Sequence, residues 1–170
     1  MGCASGIFSL DVALSDSVVA SGHRDGGIKF WSIKDGKLVQ EIKDIHDGIV
    51  SSLTYMPNDG NQIVTSGRDH TVRIVDIRMM KVLHAYESEH YYSSSDNTQV
   101  AVSPAGRFVA LGSRNGKLII YDMEKDGGTG AVDKVFEKQH SGNTITGVDW
   151  SRRTSKVATI DSKGNLLVWN

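Results

Sequence analysis

The chain repeats itself about every 45 residues, and this period limits its folds more than any other feature. Four times an apolar strand runs into a polar turn and then a second apolar strand. The units run from Val18 through Asp25 to Trp31, from Ile63 through Asp69 to Val75, from Val109 through Asn115 to Tyr121, and from Val157 through Lys163 to Trp169. The strand ends at 31, 75, 121 and 169 advance by 44, 46 and 48, and the turn residues at 25, 69, 115 and 163 advance by the same steps. Two marks in one register mean one structural unit per repeat. Paired strands at this period imply a β-propeller, in which each blade buries its faces against its neighbours.

The expected architecture is all-β. It comprises about four blades of four-stranded antiparallel sheet, at roughly 3–42, 46–86, 98–136 and 140–170. In the first unit, Phe8, Leu10 and Val12 alternate with polar residues, so Ile7–Ala13 reads as the first strand. Val18–Gly22, Ile28–Ile33 and Lys37–Ile42 follow, separated by the turn signals Asp25-Gly26-Gly27 and Asp35-Gly36. The second and third units copy this order, with Pro57–Gly60 and Ser103–Gly106 as turns. The fourth has only three strands, the last at Asn165–Trp169. Two stretches lengthen the repeat, the polar link at 87–97 and the Gly127–Gly130 loop, and long loops are where function often sits.

Charge narrows the partner classes. Nineteen Lys and Arg face twenty Asp and Glu, so no global field draws the chain to nucleic acid. The single cysteine, Cys3, forms no internal disulfide, and no apolar run is long enough to span a bilayer.

Catalytic readings are weak. His46 with Asp69 has the look of a base and its orienter, but no nucleophile accompanies the pair and the repeat accounts for both. His84, His90 and His140 lack zinc-site spacing, and Gly116-Lys117 lacks the rest of a phosphate loop. The expectation is a binding protein with no cofactor, no metal and no enzymatic activity.

The polar marks inside the repeats resemble those of WD40 repeats. In that family a His before the first strand, a Ser or Thr in the second, the turn Asp and a Trp in the third form one hydrogen-bonded chain. By this resemblance the first unit offers Ser21, Asp25 and Trp31, the second His46, Thr65 and Asp69, and the fourth His140, Thr159 and Trp169. No unit holds all four residue types at the family's positions, since Val75 replaces Trp and Lys163 replaces Asp.

A second pattern points outward. The residue before the turn is Arg24, Arg68 and Arg114 in three successive units. In a WD40 propeller this turn opens onto the narrow top face. Three arginines there form an arc suited to carboxylates or phosphates of partner proteins. Ile49 is expected beside Arg68 as an apolar contact point.

The runs 21–33 and 65–78, the ending around His140, Ile145 and Trp150, and the Val168-Trp169 close are similar to the C-terminal WD40 domain of the autophagy-related sixteen-like family. The resemblance implies a cytoplasmic platform recruited to autophagosome-precursor membranes through partner proteins. It would help direct lipidation of a ubiquitin-like protein, with the conjugation machinery held by an N-terminal region absent from these residues. It also implies that these blades are the last four of a seven-bladed ring, so the arc is open. An open arc exposes apolar blade faces at both ends. A generic WD40 adaptor, such as a ubiquitin-ligase substrate receptor or a chromatin-complex subunit, is the alternative.

Overall fold

A computed structural model describes residues 5–13, 17–93, 99–125, 131–136 and 140–170. Cys3, the turn at 14–16, part of the polar link and the Gly127–Gly130 loop lie outside these residues. The chain forms four antiparallel sheets in sequence order. Blade 1 comprises β1 (Ile7–Val12), β2 (Val18–His23), β3 (Ile28–Ser32) and β4 (Leu38–Ile42). Blade 2 comprises β5 (Val50–Met56), β6 (Asp59–Gly67), β7 (Thr71–Asp76) and β8 (Lys81–Glu87). Blade 3 comprises β9 (Val100–Val102), β10 (Phe108–Gly112), β11 (Leu118–Asp122) and β12 (Ala131–Phe136). Blade 4 has three strands among the described residues, β13 (Ile145–Trp150), β14 (Val157–Asp161) and β15 (Leu166–Trp169).

The register follows the repeat. Val19 pairs with Trp31, Ile63 with Val75, Val109 with Tyr121 and Val157 with Trp169. One reversal is tighter than its sequence implies. Met56 pairs with Asp59, so the expected four-residue turn at Pro57–Gly60 narrows to Pro57 and Asn58. Asp59 Oδ1 accepts from the Asn61 amide at 2.9 Å, which lets the strand restart early.

No blade buries its own core. The apolar layers lie between successive sheets. Ala20, Ile28 and Phe30 of blade 1 pack on Val50, Leu53 and Ile63 of blade 2. Val64, Val72 and Ile74 meet Val109, Leu111 and Tyr121, and Ala110, Leu118 and Ile120 meet Ile145, Val148 and Trp169. Each fully buried Val, Ile or Leu contributes about 1.5–3 kcal/mol, so these layers are the main cohesion.

Close approach at two glycines tightens the layers. A Cβ on Gly22 would lie 2.7 Å from Val50 Cγ1, and one on Gly112 would lie 2.3 Å from Ile145 Cγ2. Both glycines are hollows into which the first strand of the next blade inserts its leading side chain. Polar bonds join the inner strands. Asp11 Oδ2 accepts from Thr54 Oγ1 at 2.8 Å and from the Tyr55 amide at 2.9 Å, and Ser52 Oγ accepts from the Val100 amide at 3.0 Å.

The inner strands of all four blades line one central space of about 800 Å³. The arc is open. On the outer face of blade 1, Leu10 is 65% exposed, and on that of blade 4, Leu166 is 64% exposed.

Candidate functional site

The buried polar network is most complete in blade 4. Trp169 Nε1 donates to Thr159 Oγ1 at 2.8 Å. Thr159 Oγ1 lies 2.7 Å from His140 Nε2, and His140 Nδ1 lies 3.0 Å from Asp161 Oδ2. A carboxylate only accepts and an indole N–H only donates. For a neutral imidazole the proton order is therefore Trp169 to Thr159, Thr159 to His140, and His140 to Asp161. The acid is Asp161, two residues before the turn Lys163, so the absence of an Asp at the turn does not leave this blade incomplete. Burial acts to raise the Asp161 carboxyl, but the Asn165 bonds and His140 outweigh it and hold it well below the usual carboxylate range.

Blade 2 reaches the same end from the turn. His46 Nε2 lies 2.8 Å from Thr65 Oγ1, and Nδ1 lies 2.9 Å from Asp69 Oδ1. Gly67 occupies the position of Asp161, and a Cβ there would fall 2.2 Å from His46 Nδ1. The glycine clears the space that Asp69 fills from two residues farther on. Burial works against the Asp69 charge, but the His46 bond, the Asp47 amide and the Thr71 hydroxyl hold its carboxyl far below the ordinary range. Arg73 adds an ion pair to Asp69 at 3.3 Å.

Blade 1 departs from its expected form. Its histidine is His23, from the end of β2, and not one from a preceding link. His23 Nε2 lies 2.8 Å from Ser21 Oγ, which also accepts from Trp31 Nε1 at 2.7 Å. His23 is fully buried, with the Ser5 carbonyl 3.4 Å from Nδ1 in place of a carboxylate. Asp25 is exposed and takes no part in this chain. It caps the turn by accepting from the Gly27 amide at 3.2 Å. Residues 1–6 carry no histidine to meet it as His46 meets Asp69.

Blade 3 replaces the network with apolar packing. Leu111 and Tyr121 stand at the Thr and Trp positions and are fully buried. Ser113, at the position of His23, Gly67 and Asp161, binds the preceding link instead. Its Oγ accepts from the Tyr92 amide at 2.9 Å and donates to the His90 carbonyl at 3.2 Å.

The rim turns share one backbone bond. The amides of Arg24, Arg68, Arg114 and Ser162 donate to the carbonyls of Gly6, Ile49, Tyr92 and Thr144 at 2.9–3.0 Å. The three arginines thus occupy equivalent places on blades 1 to 3, and all three are exposed. Ile49 does lie beside Arg68, its carbonyl accepting the Arg68 amide, but its side chain is only 7% exposed and offers little contact surface. The exposed apolar side chain at the equivalent place is Tyr92, beside Arg114. With His70, Ser93, Arg114 and Asn115 it lines a recess of about 270 Å³ between blades 2 and 3. His70 meets Tyr92 edge-on at 5.9 Å and accepts from the Ser93 amide at 3.0 Å. No sequence signal marked Tyr92 beyond its place in a long polar link.

The arrangement is suited to recognition. Among the described residues no three metal-ligating side chains gather, and each buried histidine is held in a blade network.

Comparison with known proteins agrees with this geometry. The family described as WD domain, G-beta repeat matches residues 1–32 and 36–76. Protein tipD of Dictyostelium discoideum is 33% identical over 156 residues, covering 91% of this chain and 25% of that protein. Autophagy-related protein 16 of Arabidopsis thaliana is 28% identical over 158 residues, covering 93% of this chain and 30% of that protein. Protein Atg16l2 of Mus musculus is 27% identical over 160 residues, covering 94% of this chain and 24% of that protein. The chain spans about a quarter of the length of these relatives. It carries WD40 repeats folded as successive propeller blades, and over nine-tenths of its length it is similar to autophagy-related 16 proteins.

Proposed function

We propose that this chain is a protein-binding platform of autophagy, which helps direct lipidation of a ubiquitin-like protein to membranes during autophagosome formation. The observation that carries this reading is the similarity, across almost the whole chain, to proteins named for autophagy. The chain holds partners and performs no chemistry. Its contact surface is the top rim, where Arg24, Arg68 and Arg114 present guanidinium groups to partner carboxylates or phosphates and Tyr92 supplies an aromatic anchor. The conjugation machinery binds a region outside these blades, and membrane contact is indirect. The protein works in the cytoplasm and at autophagosome-precursor membranes.

Two changes in the host protein test this. Deleting residues 1–170 is expected to lower the lipidated ubiquitin-like protein on membranes, and unchanged lipidation would contradict the autophagy reading. Reversing Arg24, Arg68 and Arg114 to Glu is expected to reproduce most of that loss, about tenfold or more in partner affinity, with an unchanged melting temperature. If deletion lowers lipidation and the reversal leaves it intact, the rim arc alone is wrong.

A further inference from the structure

The turn after each second strand holds one residue in the left-handed region. Gly26, His70, Gly116 and Gly164 stand there, with φ of 81°, 63°, 78° and 84°, and each donates its amide to the carbonyl three residues earlier. Three blades use glycine, which adopts this conformation without strain. Blade 2 carries an imidazole there, although the turn itself needs no side chain. Non-glycine residues held in this region cluster at ligand clamps and switches.

His70 is exposed, yet its ring is fixed. The Ser93 amide donates to Nδ1 at 3.0 Å, and Tyr92 meets the ring edge-on. Since Nδ1 accepts, the proton of the neutral ring sits on Nε2, which is left as a donor. Tyr92 is 48% exposed, but its backbone is pinned by the Ser113 hydroxyl and the Arg114 amide. The other two junctions lack these parts. They place Gly26 with Ile49, which is buried, and Gly116 with Thr144.

Two recesses adjoin at the His70–Tyr92 pair, and their charges are opposite. Arg114 lines the recess of about 270 Å³. His70 and Tyr92 also line a second recess, of about 410 Å³, together with Asp69, Glu87 and Glu89. Asp69 is spent on His46 and Arg73. Arg114 and Glu87 form no ion pair among the described residues, and Glu89, its side chain 86% exposed, reaches His90 at 3.6 Å. A cation and two carboxylates thus stand open to solvent in two recesses that share one fixed aromatic pair. A ligand that fits both carries both charges in reverse.

We infer that the junction of blades 2 and 3 binds a bipolar peptide segment of a partner protein, with an acidic and a basic side chain close together. The acid enters the smaller recess and accepts from the Arg114 guanidinium and from His70 Nε2–H. The base lies against Glu87 and Glu89, and the stems of both side chains pack on the Tyr92 ring. A purely anionic ligand meets repulsion from Glu87 and Glu89, so these residues add a specificity that the rim arginines alone lack. The inference rests on the reading of the rim as a protein-binding surface and names the partner chemistry for one part of it.

The test titrates the whole 170-residue chain with terminally blocked, alanine-based pentapeptides at low salt, followed by NMR of the backbone amides. One series carries a Glu and a Lys at varied spacing and in either order, and the controls replace one charge or the other by Gln. The best mixed-charge peptide is expected to bind at least about fivefold more tightly than either of its controls, with shifts at Tyr92 and Arg114. Arg114→Gln is expected to remove the advantage of the Glu, and Glu87→Gln with Glu89→Gln that of the Lys. His70→Gly gives blade 2 the residue of the other turns. It is expected to keep the melting temperature within a few degrees while lowering affinity at least about threefold. The inference is overturned if no mixed-charge peptide binds better than its controls, or if its advantage survives the Arg114 change, the Glu87 and Glu89 changes, or His70→Gly. Those results would leave the wider rim reading standing, because that reading fails on a different result, a whole partner whose binding ignores reversal of Arg24, Arg68 and Arg114.

Discussion

His140→Ala is expected to lower the unfolding free energy by about 3–5 kcal/mol, measured by chemical denaturation. The imidazole is 1% exposed and uses both ring nitrogens. Removing it takes a buried partner from both the Thr159 hydroxyl and the Asp161 carboxylate, which keep their bonds to Trp169 and to Asn165 and the Lys163 amide, and the lost bonds leave a desolvation cost uncompensated. It also empties space against Trp169, whose ring lies 6.2 Å away, and so loosens the layer between blades 3 and 4. Lys163→Ala is the control. Its exposed side chain has no part in the network, so the change stays within about 0.5 kcal/mol. A His140→Ala loss no larger than that control would show that the network is not structural.

Gly26→Ala is expected to cost at least about 3 kcal/mol and to uncouple blade 1 from blade 2. Two causes combine. Gly26 has φ of 81°, where a side chain is strained, and an added Cβ would fall 2.0 Å from the His46 carbonyl oxygen. The obstacle is backbone, so no rotamer relieves it. The Gly26 carbonyl also accepts from the Ile45 and His46 amides, at 3.0 and 3.1 Å, so any shift of the turn disturbs the link that carries His46. Gly36→Ala separates the causes. Gly36 has φ of 65° with nothing within 4 Å of a Cβ, and its replacement costs only the backbone strain, about 1 kcal/mol. Equal losses at the two glycines would mean that the contact between turn and link is absent.

The repeat made the strands legible because one register error would turn every core residue to the wrong face. Val19, Ile63, Val109 and Val157 pair with Trp31, Val75, Tyr121 and Trp169 as the spacing implies. The acids and histidines were harder to read, since a buried polar chain can be closed from more than one backbone position. Asp161 closes it from the strand and Asp69 from the turn, and His23 enters from the strand where His46 enters from the link. A local sign existed. His23 follows Ser21 by two residues as Asp161 follows Thr159, whereas Gly67 stands at that distance from Thr65. The rim was legible only in part. Equivalent turn positions brought the three arginines into one backbone setting, but Ile49 is buried where Tyr92 is exposed, and no local pattern reports that difference.

Exchange of the indole N–H protons tests the repeat geometry most directly. Trp31 and Trp169 stand 138 residues apart, yet each donates to the Ser or Thr ten residues before it, at 2.7 and 2.8 Å. Trp150 stacks on Phe108 and has no such acceptor among the described residues. In proton NMR, two of the three indole signals are expected to exchange slowly, one shifted only by Ser21→Ala and the other only by Thr159→Ala. Three signals that exchange alike, or that ignore both substitutions, would contradict a chain built from equivalent blades.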